Sequence, residues 1–99
     1  MNPENVALKD FVLDQLIDLR NISVKAMFGG YSLYNNKKIF ALITDGKLYG
    51  KANQGTLQFT YSAKGKTMTM KYWEVPEELL EDRAALTNWA MKCIAVNAS

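Results

Sequence analysis

Residues 38–52 read KIFALITDGKLYGKA, and this stretch decides the fold. Asp45-Gly46 is the strongest turn signal in the chain, because a type I′ hairpin turn needs positive φ at both central positions. The flanking residues predict two antiparallel strands, Lys38 to Thr44 before the turn and Lys47 to Ala52 after it. The middle of the chain is therefore predicted to be a β-hairpin within a larger antiparallel sheet.

The residues before this hairpin extend the sheet. Val24 to Phe28 and Tyr31 to Tyr34 have a period of two, and Gly29-Gly30 stands between them. A glycine pair inside a strand pattern predicts a bulge or a sharp bend. Asn35-Asn36 predicts the turn that follows, because asparagine tolerates positive φ.

The residues after the hairpin add two more strands. Leu57 to Ser62 places Leu57, Phe59 and Tyr61 on one face, and Lys66 to Tyr72 places Met68, Met70 and Tyr72 on one face. Lys64-Gly65 predicts the turn between them. The total is about five antiparallel strands.

Helices are predicted at both ends of the strand region. Val6 to Arg20 has apolar residues at three- and four-residue spacing, and Asn21 is a plausible stop residue. Pro76 followed by two glutamates predicts a short helix, and Asp82 predicts the N-cap of a second one. The stripe of that last helix is Leu86, Trp89, Ala90, Cys93 and Ile94. This order predicts an α+β fold, a two-layer sandwich with helices on one face of the sheet.

The composition excludes several kinds of chemistry. The 99 residues contain no histidine, which removes histidine-based acid–base catalysis and imidazole metal ligation. The one cysteine, Cys93, can form no internal disulfide and no cysteine-rich zinc site, and it is predicted to be a buried apolar residue. No catalytic residue, metal site or cofactor is predicted, and an enzyme is the least favoured class.

No targeting signal is visible in the sequence. The first residues lack a basic segment followed by an apolar run, and no apolar stretch approaches the roughly 20 residues of a membrane-spanning helix. A single unpaired cysteine fits a reducing compartment. The expected location is the cytoplasm, with no membrane contact.

Positive charge is concentrated in the strand region. Residues 21–71 hold eight lysines against one acidic residue, Asp45, whereas both flanking segments are acidic. Lysines beside aromatic rings can bind nucleic acid, and the candidate polyanion contacts are Lys47, Lys51, Lys64, Lys66 and Lys71. The favoured alternative is that these lysines solubilise the strands and protect the sheet edges. Direct nucleic-acid binding is therefore a secondary prediction.

Two other features have a functional and a structural interpretation. The acidic run from Glu74 to Asp82 could form a metal or partner site, but negative charge at helix starts explains it and is favoured. The strand Lys38 to Thr44 is apolar at every inner position, whereas a two-layer sheet should have one polar face. Either another part of the chain covers Phe40 and Leu42, or these two residues lie in a subunit or partner interface.

Several separated motifs, taken together, resemble one known family. They are Met27-Phe28-Gly29-Gly30-Tyr31, Phe40-Ala41-Leu42-Ile43, Asp45-Gly46-Lys47-Leu48-Tyr49, Phe59-Thr60-Tyr61, Met70 to Glu78, Leu80-Glu81-Asp82 and Trp89-Ala90. In this order they are similar to the N-terminal domain of the TfoX/Sxy family of bacterial competence regulators, from about Phe11 to Val96. The resemblance implies structural roles for the motif residues Met27, Phe28, Gly29, Gly30, Tyr72, Trp73 and Pro76.

The resemblance also implies a fold and a function. The family domain is an α+β fold similar to secretion chaperones, and full-length members regulate natural transformation together with the cyclic-AMP receptor protein. Those members carry a further helical domain. This chain is expected to be a single N-terminal-like domain over residues 1–99. Gly50 and Asn35-Asn36-Lys37 depart from the family pattern without threatening the fold.

The leading functional prediction is a non-enzymatic regulatory domain that contacts another protein. By resemblance, that partner belongs to the transcription machinery, such as the cyclic-AMP receptor protein. The alternatives are a nucleic-acid-binding module that uses the lysine-rich sheet, and a chaperone-like homodimer that pairs through Phe40 and Leu42.

Overall fold

The computed structural model describes residues 3–27, 29–52 and 56–98. The elements are α1 (Pro3–Gln15), β1 (Ile22–Met27), β2 (Gly30–Asn35), β3 (Lys38–Thr44), β4 (Lys47–Gly50), β5 (Gln58–Ala63), β6 (Lys66–Glu74), α2 (Glu77–Leu80) and α3 (Arg83–Ala98). The strands form one antiparallel sheet in the order β1-β2-β3-β4-β6-β5. The α+β prediction is confirmed, with six strands instead of about five.

The additional strand arises at the glycine pair. Met27 pairs with Gly30, and β1 runs antiparallel to β2 along its whole length. The chain therefore reverses between two strands here, and the prediction of a bulge or bend within one strand is wrong. Gly29 has a φ of 78°, which glycine adopts without strain. A Cβ at Gly30 would collide with the carbonyl oxygen of Ile43, so glycine also permits close approach to β3.

Three tight turns join the remaining hairpins. Asp45-Gly46 has φ values of 53° and 71°, and Lys64-Gly65 has 53° and 76°, so both predicted turns are confirmed. The turn between β2 and β3 is at Asn36-Lys37, one residue later than predicted. Asn35 is instead the last residue of β2, where it pairs with Lys38, and its side-chain amide donates to the carbonyl of Arg20 at 2.9 Å.

The first helix lies earlier in the chain than predicted. It begins at Pro3 and ends at Gln15, whereas the apolar spacing predicted Val6 to Arg20. After Gln15 the chain tightens, because the amides of Ile17 and Leu19 each bond the carbonyl three residues before them. Leu16 is still buried within these turns, so the apolar spacing in the sequence continues beyond the end of the helix.

The helices after the sheet begin close to the predicted positions. Pro76 is extended, with a ψ of 148°, and precedes α2 as its N-cap, one position before the predicted one. Asp82 caps α3, since its Oδ1 accepts the amide of Ala85 at 3.1 Å. The predicted cap at Asp82 is confirmed.

The main core lies between the helices and one face of the sheet. On α3, Leu86, Trp89, Ala90 and Cys93 are at most 1% exposed, which confirms the predicted stripe. They join Val12 and Leu16 near α1 and the strand residues Leu33, Phe40, Ala41, Ile43 and Leu48. Burying one such leucine contributes about 2 kcal/mol to stability.

A bulge in β3 decides which apolar residues face the helices. Leu33 pairs with Ala41 and Tyr34 pairs with Ile39, so Phe40 is the additional residue on β3. Phe40 consequently points to the same side as Ala41 and contacts Trp89, with ring centroids 6.5 Å apart. Phe40 and Leu42 therefore lie on opposite faces of the sheet. The expectation of one common interface through both residues is corrected, because Phe40 is fully buried under α3.

Candidate functional site

A second apolar cluster lies on the face of the sheet away from the helices. Leu42, Tyr49 and Tyr72 are buried there, and Ile39 and Phe59 pack against them. This cluster explains why β3 is apolar on both faces. Leu42 is covered by aromatic side chains from β4, β5 and β6, so part of the same chain supplies the cover that the sequence pattern required.

A groove of about 660 Å³ opens over this second cluster. We call it the sheet-face groove; its lining residues are Met27, Tyr31, Ile39, Leu42, Ile43, Thr44, Asp45, Phe59, Thr60, Tyr61, Met70 and Tyr72. Most of these side chains are apolar or aromatic. The volume lies within the range of about 300 to 1,000 Å³ that is usual for ligand sites.

One wall of the groove is the hairpin of β5 and β6. Strand β6 pairs with β4 at two positions, Tyr49 opposite Glu74 and Gly50 opposite Trp73. Only the end of β6 is therefore hydrogen-bonded to β4. The hairpin extends beyond this attachment and carries Phe59, Tyr61 and Met70 to the groove. The ring of Phe59 lies 5.0 Å from that of Tyr49 and 6.2 Å from that of Tyr61, so the rings support one another.

The opposite wall is positioned by a buried asparagine of α1. Asn5 is 2% exposed, and its amide donates to the carbonyl of Gly29 at 2.9 Å. Its Oδ1 accepts the backbone amide of Gly46 at 2.7 Å. The side chain of Asn5 thus joins the turn that follows Met27 to the Asp45-Gly46 turn. Met27 and Asp45 both line the groove, and the sequence contained no signal for this contact.

Lysine ammonium groups lie over the aromatic side chains of this face. Lys25 pairs with Ser32, which pairs with Leu42, so Lys25 is on the groove side of the sheet. Its Nζ is 5.8 Å from the centre of the Tyr34 ring. The Nζ of Lys51 is 5.9 Å from the centre of the Tyr72 ring. Both contacts are within the range of cation–π attraction.

A further lysine is neutralised by an acid. Lys47 Nζ lies 3.1 Å from Glu74 Oε1, and this hydrogen bond and charge raise the pKa of Lys47 above its usual value. Asp45 is the acidic residue that lines the groove. Charges of both signs therefore border this face: Lys25 and Lys51 lie over aromatic rings, and Asp45 lines the groove.

The reactive groups near the groove are held in their neutral forms. Burial raises the pKa of the Tyr49 and Tyr72 phenols, so both stay protonated at neutral pH. Cys93 lies on the helix side, fully buried, where its Sγ accepts the amide of Ala52 at 3.3 Å. Burial raises the pKa of Cys93 to about 11, which keeps it a thiol. Within residues 3–27, 29–52 and 56–98, no group of His, Cys, Asp or Glu side chains could hold a metal ion.

The five candidate polyanion contacts do not gather on one surface. Lys47 is paired with Glu74, and Lys51 lies beside the groove. Lys64 and Lys66 are at the tip of the β5–β6 hairpin. Lys71 is exposed and does not line the groove, although its neighbours Met70 and Tyr72 do. The structure does not test whether these lysines bind nucleic acid, and that prediction stands.

The motif residues of the sequence analysis have identifiable positions. Met27 and Tyr72 line the groove, and Gly29 and Gly30 belong to the reversal between β1 and β2. Trp73 pairs with Gly50 and Pro76 caps α2, while Phe28 lies outside the described residues. The groove itself was not predicted. The alternation of Phe59, Tyr61, Met70 and Tyr72 indicated their common faces, but not that the two strands would meet over Leu42.

The acidic run of the sequence analysis is divided among different structural roles. Glu74 pairs with Lys47, whereas Glu77 and Glu78 occupy the first turn of α2 and Asp82 caps α3. These placements agree with the favoured interpretation of charge at helix starts. In the part of the chain that the structure describes, no helix is both long and apolar enough to cross a membrane.

Two comparisons relate this chain to known proteins. The sequence model of the TfoX N-terminal domain matches residues 14–97. Protein Sxy of Escherichia coli (strain K12) is 30% identical over 82 residues, an alignment that covers 74% of this chain and 39% of that protein. The chain therefore spans well under half the length of this curated relative.

Proposed function

Because the chain belongs to the TfoX N-terminal domain family, we propose that it is a non-enzymatic regulatory domain that acts by binding another protein. The observation that carries this proposal is the sheet-face groove, an apolar surface that residues 3–27, 29–52 and 56–98 leave open. The resemblance to competence regulators suggests a cytoplasmic role in regulating DNA transformation. It also makes the transcription machinery, with the cyclic-AMP receptor protein first, the class of partner to examine.

The exposure of the groove walls supports a protein contact. Met27, Tyr61 and Met70 are 36%, 42% and 38% exposed, although all three are large and apolar or aromatic. Clustered exposure of this kind marks interaction sites on soluble proteins, whereas single exposed apolar residues are common. The three residues come from two separate hairpins and meet in one groove.

The side-chain chemistry supports a binding role over a catalytic one. The sequence has no histidine, and Cys93 is a buried thiol with its pKa raised to about 11. Burial moves the pKa values of the Tyr49 and Tyr72 phenols further above their usual value, away from neutral pH. General acid–base and nucleophilic catalysis both require a group that titrates or is deprotonated near the working pH.

Site-specific photo-crosslinking in cells tests the proposal. A photoreactive amino acid at Tyr61 should crosslink to a specific protein, because this side chain is exposed at the groove. The same amino acid at Met91, which is 54% exposed on α3, is the matched control and should not give that product. The crosslinked protein is identified by mass spectrometry, and the complex is reconstituted from purified components. Equal products from both positions, or none from either, would overturn the proposal.

Two alternatives remain testable on the same protein. The lysines of residues 21–71 favour nucleic-acid binding, which requires steep salt dependence. A fluorescence titration showing no binding to duplex or single-stranded DNA at low salt would end that alternative. The exposed groove also favours a homodimer through Leu42 and its neighbours. Sedimentation as a monomer at micromolar concentration would end it.

A further inference from the structure

We propose that the side of β6 facing β4, from Lys66 to Lys71, pairs with an extended segment of a partner protein that carries apolar side chains at alternate positions. This inference rests on the proposed protein-binding function and specifies the conformation of the partner. It draws on the pairing of β6 within the sheet, the direction of its backbone groups and the groove beside it. We call this part of the strand the open side of β6.

Strand β6 lacks a neighbour along most of one side. In the sheet order it lies between β4 and β5. Its pairing with β5 begins at Lys66, whereas its pairing with β4 covers Trp73 and Glu74. Among the strands that the structure describes, none pairs with the β4 side of β6 from Lys66 to Lys71. An unpaired strand side of this kind is a template for pairing with another chain.

The hairpin turn determines which backbone groups of β6 point to the open side. Lys64-Gly65 has positive φ at both residues, which is typical of a two-residue turn of type I′. In such a hairpin the flanking pair, here Ala63 and Lys66, exchanges both backbone hydrogen bonds, and bonded and non-bonded pairs alternate from there. Thr67 and Thr69 therefore direct their N–H and C=O groups away from β5, towards the open side.

These groups specify the conformation of what they bind. An extended backbone repeats its donors and acceptors every second residue, which matches the spacing of Thr67 and Thr69. A helix uses its backbone groups internally and would leave those of β6 without a partner. From Lys66 to Lys71 the open side is about 17 Å long, since a strand rises about 3.4 Å per residue. It therefore accommodates a segment of about six residues.

The sheet-face groove determines the side chains of the segment. The sheet order places the open side of β6 towards β4 and the rest of the sheet, whereas the unpaired side of β5 faces away from them. Met70 and Tyr72 of β6 line the groove, and Met70 is 38% exposed. Every second side chain of a paired segment lies on the groove side of the sheet. Apolar residues at those positions would cover Met70 and remove apolar surface from water.

A second copy of this chain is a poorer occupant than a single segment. Two copies of β6 that paired through both Thr67 and Thr69 would place the hairpin tip of each copy, with Lys64, opposite Tyr72 of the other. Lys51 already lies over the Tyr72 ring, with its Nζ 5.9 Å from the ring centre. The tip would have to displace Lys51, whereas a segment of about six residues ends before this position.

Designed peptides test the inference on the full chain, whether or not the partner has been identified. The probe is a fluorescein-labelled peptide in which leucine alternates with threonine over eight residues between polar ends. The comparison peptide has the same composition with the leucines grouped together. Fluorescence anisotropy should show binding of the alternating probe that is tighter by about tenfold or more, because alternation places every leucine on one face.

Methylation of the probe backbone tests strand pairing without changing the protein. Two further probes carry N-methyl groups on alternate amides, one probe on the leucines and the other on the threonines. Only one of these two sets of amides points to β6 in a paired strand, so one probe should lose binding and the other should keep it. Equal binding of the two methylated probes, whether lost or kept, would overturn the inference.

Proline substitutions on the two sides of the hairpin give the matched variants. Thr67 and Ser62 are opposite each other, both are exposed, and each directs its N–H away from the other strand. Proline is tolerated where a strand N–H points outward, and circular dichroism verifies the fold. Thr67→Pro should weaken probe binding by about tenfold or more, and Ser62→Pro by less than about twofold. Loss of binding in Ser62→Pro with retention in Thr67→Pro would overturn the inference.

Two further outcomes separate this inference from the alternatives. A dimer in sedimentation that dissociates in Thr67→Pro would assign the open side of β6 to a second copy and overturn the partner segment. If the alternating probe does not bind while Tyr61 still crosslinks to a specific protein, the extended segment is ruled out and the proposed function stands. Failure of both experiments would remove the protein-binding function as well.

Discussion

At Gly50 the sheet lies so close to α3 that no side chain fits between them. A Cβ at this position would collide with Cζ2 of Trp89 and lie 2.7 Å from Sγ of Cys93. We expect Gly50→Ala to lower the free energy of unfolding by about 2 kcal/mol, because the packed core cannot accept the methyl group. Urea denaturation followed by circular dichroism measures the loss.

The contact with Trp89 provides the internal control for that prediction. If steric overlap is the cause, Trp89→Phe should relieve it, and the double variant should be more stable than the sum of the two single effects. Purely additive losses would contradict the overlap. The indole of Trp89 thus occupies the space that a side chain at position 50 would take.

Asn5 contributes to stability through two turns at once. Asn5→Ala removes the donor to Gly29 and the acceptor for Gly46, and leaves both backbone groups without this partner. We expect a loss of about 2 to 3 kcal/mol in the free energy of unfolding, from the usual cost of unmet hydrogen bonds. Asn88→Ala, at an exposed position on α3, should change it by less than about 0.5 kcal/mol. Chemical denaturation that gives equal values for the two would contradict the role of Asn5.

Cys93 makes stability depend on pH in the alkaline range. Its pKa is raised by burial to about 11 in the folded chain, so the folded state holds this proton more tightly than the unfolded state. The contribution is complete below about pH 9 and is lost as the pH rises towards 11, by up to about 3 kcal/mol. Cys93→Ala should therefore lose less stability than the wild-type protein between pH 8.5 and 10.5. Parallel pH curves for the two proteins in urea denaturation would contradict this assignment.

At the scale of the elements, the β5–β6 hairpin is attached to β4 through one end of β6. Residues 66–71 of β6 are exposed, and the pairing with β4 covers Tyr49–Glu74 and Gly50–Trp73. We expect backbone amides of Thr67 to Met70 to exchange with solvent at least a hundredfold faster than those of Ala41 to Ile43 in β3. Hydrogen exchange followed by NMR measures both sets, and equal protection would show that the hairpin does not open independently.

The elements also show which structural features local sequence signals can predict. The turns at Asp45-Gly46 and Lys64-Gly65 and the bounds of β3 follow from local chemistry, and the sequence predicted them. The reversal before Gly30 and the bulge at Phe40 depend on pairing between strands. A glycine pair looks the same within a bulge and at a hairpin. The bulge in β3 likewise changes which of its side chains face the helices, and the amino-acid composition of the strand does not reveal it.

At the scale of the whole molecule, the two faces of the sheet differ in how deeply their side chains are buried. The helix-covered face contains the large apolar residues that are at most 1% exposed, whereas the groove walls stay partly exposed. We expect Leu86→Ala to cost about 3 kcal/mol of unfolding free energy and Met70→Ala less than about 0.5 kcal/mol. Urea denaturation of both variants measures this, and a large loss at Met70 would show that the groove contributes substantially to stability.

The fold class was predictable at this scale, and the candidate site was not. Helix, strand and turn signals follow one another in an order that few architectures satisfy, and α+β packing results. The groove depends instead on where the β5–β6 hairpin joins the sheet and on the position of Met27 just before the reversal. No short segment of sequence encodes these two positions. The sequence therefore indicates which strand face Tyr61 and Met70 occupy, but not which residues lie opposite them in the groove.

The tie made by Asn5 has a practical consequence for defining domain boundaries. The family match begins at residue 14, within α1, and a chain trimmed to residues 14–97 would omit Asn5 and Val12. It would keep every motif that identifies the family. It would nevertheless lack the amide that joins two turns and a fully buried side chain of the core. The family match thus delimits the shared sequence, whereas the helix that carries these contacts begins eleven residues earlier, at Pro3.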